Sequence, residues 1–397
     1  MRLALAALLL SCAPNANTST ATTSTASPTT NPPPPSGWRL APGEKILGSN
    51  HAHIHRRGHG YGSASSAQQL DVLRGLGANF IAVTSFAFQP TSTSDSLVGY
   101  GPDAFTGTQF PKGAPKGKEL HDSSMTDGDL KAEVEHAHAR GLRVAFKPHL
   151  WAGDFGSGQW HGTVHQSSDV GHAHWWQSYR AYILSEGRRA AACSADMIVI
   201  GTELVQMTTS TDATTQQRQD AEWRSLINDV RAVFGGSVTY AAHWSDEAFA
   251  LTFWDALDLV GVSAYFPLDA PLHTDGDDAS VGELAAAWAP HTAKLAALAA
   301  AHPQQPLVFL ELGFRAVRGN HRTPWSTDNR GAVRDDDEQA RAYAATARVL
   351  QQAPWWRGAL LWKTFTDPAL ADEEGDGTSY SFTDRKAATV IKTWFNP

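Results

Sequence analysis

The sequence is poor in cysteine, with only Cys12 and Cys193 among 397 residues. Cys12 lies in an N-terminal apolar segment, so the chain beyond it holds Cys193 alone and can form no internal disulfide. Cys193 precedes an apolar run in AACSADMIVI and reads as a buried small hydrophobe rather than a nucleophile. Positive charge is also short: 32 Lys and Arg stand against 40 Asp and Glu, a formal charge of −8. That balance argues against nucleic acid or another anionic polymer as partner, because phosphate binding needs clustered Lys and Arg. No GxGxxG motif follows an expected strand, which removes support for a dinucleotide-binding fold.

What is present is tryptophan, 14 residues in all. Planar apolar rings with one polar edge suit the faces of sugars, although core packing accounts for about half of such a set. Residues 1–12, MRLALAALLLSC, have one Arg and an apolar run too short to span a membrane, and they read as a signal peptide. The LLSC ending resembles a bacterial lipobox, which makes Cys12 the expected lipidation site; a plain secretory signal is the alternative. Residues 13–37 carry no charge and almost nothing to bury, the composition of a disordered Thr/Ser/Pro-rich tether. A single folded domain is expected over 38–397, in a protein of the bacterial cell envelope, with the membrane touched only through the lipid.

Within that domain, β-rich runs alternate with helical ones. Strands are expected at about 45–49, in ANFIAVTSF (78–86), LRVAFKPHL (142–150), MIVIGTEL (197–204), SVTYAAH (237–243), DLVGVSAYF (258–266), PLVFLELGF (306–314) and ALLWKTF (359–365). Helices are expected at about 64–76, 126–138, 174–192, 217–234 and 337–352, and over an Ala-rich stretch from Glu283 that breaks near Pro290. Residues 384–395 close the ring. Eight strands alternating with helices predict a (β/α)8 TIM barrel. The Gly/Pro/Ser/Thr-rich stretch 89–122 is too long for a plain connector and reads as an active-site loop.

Two of these runs end in a glutamate, Glu203 on the fourth strand and Glu311 on the seventh. A carboxylate at the end of a buried strand must be paired, hydrogen-bonded or used. In a barrel, the carboxyl ends of the strands form the active-site face, and two carboxylates there are the minimum equipment for glycoside hydrolysis. Structural pairing with a buried Arg or Lys is the alternative for each.

The strings KPHL (147–150), GTELVQM (201–207), LVGVSAYFPL (259–268), FLELGF (309–314) and LLWK (360–363) resemble the glycoside hydrolase family 113 β-mannanases of the retaining clan A, in the family's order. The resemblance implies Glu203 as general acid/base, Glu311 as nucleophile, a β-linked glycan as substrate and no cofactor or metal. The clan has Asn before the acid/base, whereas this chain has Thr202. Strand-end positions add supporting candidates: Tyr265 to orient Glu311, Lys147 and His149 for sugar hydroxyls, and Trp362 as the floor under the reactive sugar. His243, Trp244, Trp151 and Trp325 are candidates for outer subsites.

Two rival readings stay open from the sequence alone. His51, His53, His55 and His59 crowd the end of the first strand, and period-two spacing would place the first three on one face. With His149 and His243 they resemble the binuclear metal site of amidohydrolase barrels. The second rival is a surface lipoprotein that binds glycans without cleaving them. The acidic run DEEGDG (372–377) lacks the spacing of an EF-hand loop and reads as a solvated turn.

Overall fold

The computed structural model describes residues 37–98, 125–156, 158–270, 279–371 and 377–396. The expected signal segment with Cys12, all but the last residue of the tether, most of the loop 89–122 and the acidic run apart from Gly377 lie outside the described residues. The chain begins with β1 (Ile46–Ala52), α1 (Ala64–Gly75), β2 (Phe80–Val83), β3 (Phe86–Gln89), α2 (Asp127–His138), β4 (Arg143–Phe146) and β5 (His149–Ala152). It continues through α3 (Asp169–Ala192), β6 (Met197–Thr202), α4 (Val205–Thr208), α5 (Ala213–Val233), β7 (Ser237–His243), α6 (Glu247–Ala250) and β8 (Val260–Ser263). The last elements are α7 (Val281–Ala287), α8 (Ala289–Ala301), β9 (Leu307–Leu312), α9 (Asp336–Leu350), β10 (Trp356–Phe365) and α10 (Lys386–Phe395).

Eight strands form the closed barrel β1-β10-β9-β8-β7-β6-β4-β2, with every neighbouring pair parallel. The expected (β/α)8 barrel is therefore the fold. Buried on both faces, the strands read as continuous apolar runs. Met197 and Val199 of β6 point into an inner cluster with Ile46, Phe80, Val308 and Leu310, while Ile198 and Ile200 face the helices. Trp38 packs against this inner cluster, and its carbonyl accepts a hydrogen bond from Ser237 Oγ at the start of β7.

The helix starts follow from local chemistry. Thr126 and Asp129 form a capping box at α2, Ser280 and Glu283 another at α7, and Asp212 caps α5. Pro290 sits in the first turn of α8, where its missing N–H costs nothing, and this fixes the break between α7 and α8. Helix α3 begins at Asp169 rather than His174, because Ser168 caps it by accepting from Gly171 N.

Two expected strands are each two strands. LRVAFKPHL divides after Phe146: β4 stays in the barrel, and β5 pairs with β3 in a separate two-stranded parallel sheet. Pro148, which has no N–H for a ladder, stands between them. The segment 78–86 divides in the same way into β2 and the beginning of β3.

Three barrel strands lose register near their carboxyl ends. On β6, Val199 pairs with Thr239 but Thr202 with Ala241. On β9, Phe309 pairs with Val262 but Glu311 with Ser263. On β10, Leu361 pairs with Ser49 but Thr364 with His51. In each case one extra residue is inserted, a bulge that overrides side-chain alternation and re-aims the residues at the strand end. The strands concerned carry Glu203, Glu311 and Trp362.

The amino half of the barrel is closely packed at Gly48, where a Cβ would lie 1.7 Å from the Phe80 carbonyl oxygen across the β1–β2 pair. Gly48→Ala must spread these strands, and we expect a loss of about 3 kcal/mol. Chemical denaturation should show a lower midpoint with an unchanged circular dichroism spectrum before the transition. An unchanged midpoint would mean that the strands separate at no cost.

Candidate active site

Glu311 sits on the bulged end of β9 and is 5 % exposed. The bulge matters because Val308 and Leu310 both face the inner core, so strict alternation would send Glu311 outward. Instead its carboxylate meets donors on both oxygens. Lys147 Nζ donates to Oε1, and Tyr265 OH donates to Oε2 at 2.8 Å. Lys147 is completely buried between β4 and β5. Burial pulls its proton affinity down, and the charges of Glu311 and Glu203 oppose that pull.

His149 completes this side of the site. Its Nε2 lies 3.1 Å from Lys147 Nζ and accepts from the ammonium, which requires a neutral ring. Burial and the Lys147 charge hold His149 well below the usual imidazole range. The 3.8 Å approach of the same nitrogen to Glu311 is therefore not an ion pair. The His149 ring stacks on Trp362 at 6.0 Å and 12°, and the ammonium of Lys147 lies 5.2 Å from the Trp362 ring centre. Two of the three N–H donors of Lys147 thus go to Glu311 and His149.

Glu203 directly succeeds β6, at a backbone φ of +53°. A non-glycine residue in this left-handed region costs on the order of 1–2 kcal/mol. The turn is held by Glu203 N donating to Ala241 O at 2.8 Å and Leu204 N donating to Tyr240 OH at 2.7 Å. Burial raises the proton affinity of the Glu203 carboxyl well above the ordinary range, and the negative charges of Glu311 and Glu247 raise it further. Lys147 acts in the opposite direction. The Ser263 hydroxyl makes no hydrogen bond of ordinary length, yet it is near enough to favour the charged form of Glu203. Thr202 Oγ1 is buried without a hydrogen-bond partner.

Aromatic rings extend away from the carboxylates along the carboxyl rim. His161 contacts His149 edge-on at 5.7 Å, and the adjacent Trp160 lies 4.7 Å from His243. His243 contacts Trp244 at 5.2 Å, and Trp244 stacks on the exposed Trp325 at 5.2 Å and 24°. Trp151 packs against Phe155 at 5.6 Å. Burial holds both His161 and His243 down at about 4, so both rings are neutral at pH 7.

The first-loop histidines do not gather into one cluster: the His53 and His55 rings meet edge-on at 4.9 Å, while His51 and His59 are held elsewhere. Strand β1 ends at Ala52, so His53 and His55 do not continue its face. His51 is fully buried between Thr364 Oγ1 at 3.1 Å and Ser66 Oγ at 3.0 Å. His53 accepts from Tyr61 N at 2.9 Å, and His59 meets Asp367 at 2.7 Å. Among the described residues, no three His, Cys, Asp or Glu side chains converge so as to hold a metal ion.

Sequence reasoning missed Ser263, Glu247, His161 and Trp160. Ser263 and His161 owe their places to the bulge and the loop that surround them, which no periodicity encodes. Glu247 falls in WSDEAFALTFWDAL, a segment expected only to link two strands. Trp160 is visible as an aromatic in a polar loop, but nothing local pairs it with His243.

Residues 118–384, about two thirds of the chain, match the family model for Glycoside Hydrolase Family 113. The β-mannanase AaManA of that family from Alicyclobacillus acidocaldarius, solved with ManMIm, superposes with a TM-score of 0.69 at 24% identity, over 89% of this chain and 97% of that one. A second family 113 β-1,4-mannanase structure gives 0.68 at 22%, over 89% and 99%. A β-glucuronidase from Ruminococcus gnavus gives 0.53 at 14%, over 88% of this chain and 50% of its own. No curated protein matches the sequence. At these identities the structural likeness speaks for the fold, and the family match carries the assignment: the chain belongs to glycoside hydrolase family 113 and is a glycoside hydrolase.

Proposed function

We propose that the protein is a retaining endo-β-1,4-mannanase in which Glu311 is the nucleophile and Glu203 the general acid/base. The observation that carries this reading is the unequal treatment of the two carboxyls. Glu311 receives an ammonium and a phenol hydroxyl, a donor set suited to a carboxylate. Glu203 is left with burial and the charges of Glu311 and Glu247, which favour its protonated form against the smaller opposing effect of Lys147. Environments that push two carboxyls apart assign the acid and the nucleophile.

In the first step Glu311 attacks the anomeric carbon, the glycosidic C–O bond breaks, and the leaving oxygen takes the proton of Glu203. Esterification removes the Glu311 charge, the stronger of the two negative charges that raise Glu203, while the opposing charge of Lys147 remains. The proton affinity of Glu203 falls. As the carboxylate it then deprotonates a water that displaces the sugar from Glu311, and the starting charges return. Tyr265 and Lys147 orient Glu311, Trp362 lies under the reactive sugar, and the aromatic rim supports further units of the chain.

Mannan as substrate is supported by the likeness to solved β-mannanases. A β-glucan is the second reading, favoured by Thr202, whose unpaired hydroxyl stands where the clan has Asn. The N-terminal Cys12 and tether extend the reading to a lipid-anchored envelope enzyme.

The folded domain 38–397, assayed on mannan, glucomannan, cellulose-type and xylan oligosaccharides with and without chelator, should cleave mannan in both conditions. Glu311→Gln should abolish that cleavage with mannooligosaccharide binding retained; cleavage by the variant would reject the nucleophile, and preferred cleavage of a glucan would reject mannan. Lys147→Met should lower kcat by about 10²-fold or more. Because Lys147 disfavours the protonated form of Glu203, its loss should also move the basic limb of kcat/KM to higher pH; an unmoved limb would sever Lys147 from the acid. Finally, the full chain expressed in bacteria should incorporate labelled palmitate and fractionate with membranes, and Cys12→Ala should do neither. A wild-type chain free of label would contradict the anchor.

A further inference from the structure

Glu247 is a fully buried carboxylate that the two-step mechanism does not use. It lies at the start of α6, and it is joined to the chain that follows Glu203. Thr208 Oγ1, at the end of the one-turn helix just after Glu203, donates to Oε1 at 2.6 Å. Tyr240 OH donates to the same oxygen at 2.7 Å while accepting from Leu204 N, the residue next to Glu203. On the other oxygen, His243 N donates to Oε2 at 2.6 Å. The donors are neutral, and among the described residues no Lys or Arg forms an ion pair with Glu247. For stability alone, an uncompensated buried carboxylate is a poor choice.

The surrounding packing is arranged for the same turn. Gly201 precedes it, and a Cβ there would lie 2.7 Å from the Tyr240 ring and 2.9 Å from Tyr179 OH. Tyr179 in turn donates to Ile200 O at 2.8 Å. The bulged end of β6 is therefore fixed from the helix side by Tyr179 and Tyr240, and from the far side of Tyr240 by Glu247.

We propose that Glu247 is a positioning residue for Glu203: it locks the left-handed turn that aims the Glu203 carboxyl and, when ionised, places a negative charge beside it. This inference rests on the reading of Glu203 as the acid/base. The groups facing Glu247 are Glu203 at the end of β6, Tyr240 and His243 of β7, Thr208 of α4, and Tyr179 of α3 behind Tyr240, with Asp246 beside it on its own segment. His243 is neutral above about pH 4, so it supplies no compensating charge. Burial pushes Glu247 up to about 7, against the hydrogen bonds from Thr208, His243 and Tyr240. The bonding pattern tolerates both states. When Glu247 is ionised, Thr208 donates to it; when it is protonated, it can donate to Thr208, whose hydroxyl turns to Val205 O at 3.1 Å. The charge of Glu247 raises the proton affinity of Glu203, so its removal makes Glu203 a stronger acid that loses its proton at lower pH.

The test compares wild type, Glu203→Gln, Glu247→Gln and Thr208→Val on two substrates across about pH 5–9, a span that covers both limbs of a rate profile centred near neutrality. Mannohexaose has a poor leaving group that needs the acid, whereas a dinitrophenyl β-mannobioside does not. Glu203→Gln should lose kcat on mannohexaose far more than on the aryl substrate. Glu247→Gln should show the same discrimination, by about tenfold or more, with KM little changed and the basic limb moved to lower pH. Thr208→Val keeps the Glu247 carboxyl but removes one hydrogen bond that favours its charged form and releases α4, so it should discriminate between substrates while moving the limb less than Glu247→Gln does. If Glu247→Gln does not fold, Thr208→Val still tests the positioning half. Equal losses on both substrates in the Glu247 and Thr208 variants, with an unmoved limb, would overturn the proposal and leave Glu203 as the acid. Failure of Glu203→Gln to discriminate would overturn the acid/base reading itself and this inference with it.

Discussion

Lys147 and Glu311 meet at the mouth of the barrel with both side chains withdrawn from water, and the rest of the site is arranged around the charge they leave there. A buried ammonium is expensive unless a partner is close, so Lys147 and Glu311 require each other. Tyr265 takes the second oxygen of Glu311, and His149 must be neutral to accept a second ammonium proton. Trp362 then stacks on His149 and faces the ammonium. Each of these placements would fail if the pair were broken. What leaks from the pair is the field that Glu203 feels, which in the proposed mechanism is more negative while Glu311 is free and more positive once it is esterified.

That coupling explains why one strand end needs a cation and the other does not. A cation paired with Glu203 would keep it ionised and remove the acid. Instead, the negative charges of Glu311 and Glu247 each act on it more strongly than the opposing charge of Lys147, which is paired with Glu311. In the proposed mechanism the proton of Glu203 is controlled by the charges of Glu311, Glu247 and Lys147, while the aromatic rim is apolar and neutral.

Much of this could be read in the sequence, for reasons that are local. MIVIGTEL and PLVFLELGF each combine a β-rich apolar run with a terminal Glu, and a buried strand leaves a carboxylate few other uses. The alternation of such runs with capped helices is enough to imply the barrel, which the closed eight-strand ring bears out. What the pattern hid depends on backbone register. Period-two reading sends Glu311 outward, and only the bulge shared with β8 and β10 turns it toward Lys147. The His51–His55 spacing suggested a metal-binding face, but β1 stops at Ala52, and His51 is bound to Thr364 and Ser66 apart from the His53–His55 pair. Glu247 sits in a segment without strand or helix periodicity, and its importance comes from Tyr240 and Thr208, which are distant from it in the pattern and adjacent in space.

Control of the acid rests on the charge of Glu311 setting the proton affinity of Glu203. This coupling can be measured directly by ¹³C NMR titration of the glutamate side-chain carboxyls in wild type and in Glu311→Gln, with Glu203 assigned from its own Gln variant. The Glu203 titration should lie well above the ordinary carboxylate range in wild type and move to lower pH when Glu311 loses its charge. A titration of Glu203 that is unperturbed in wild type, or unmoved in Glu311→Gln, would contradict the coupling and with it the assignment of acid and nucleophile.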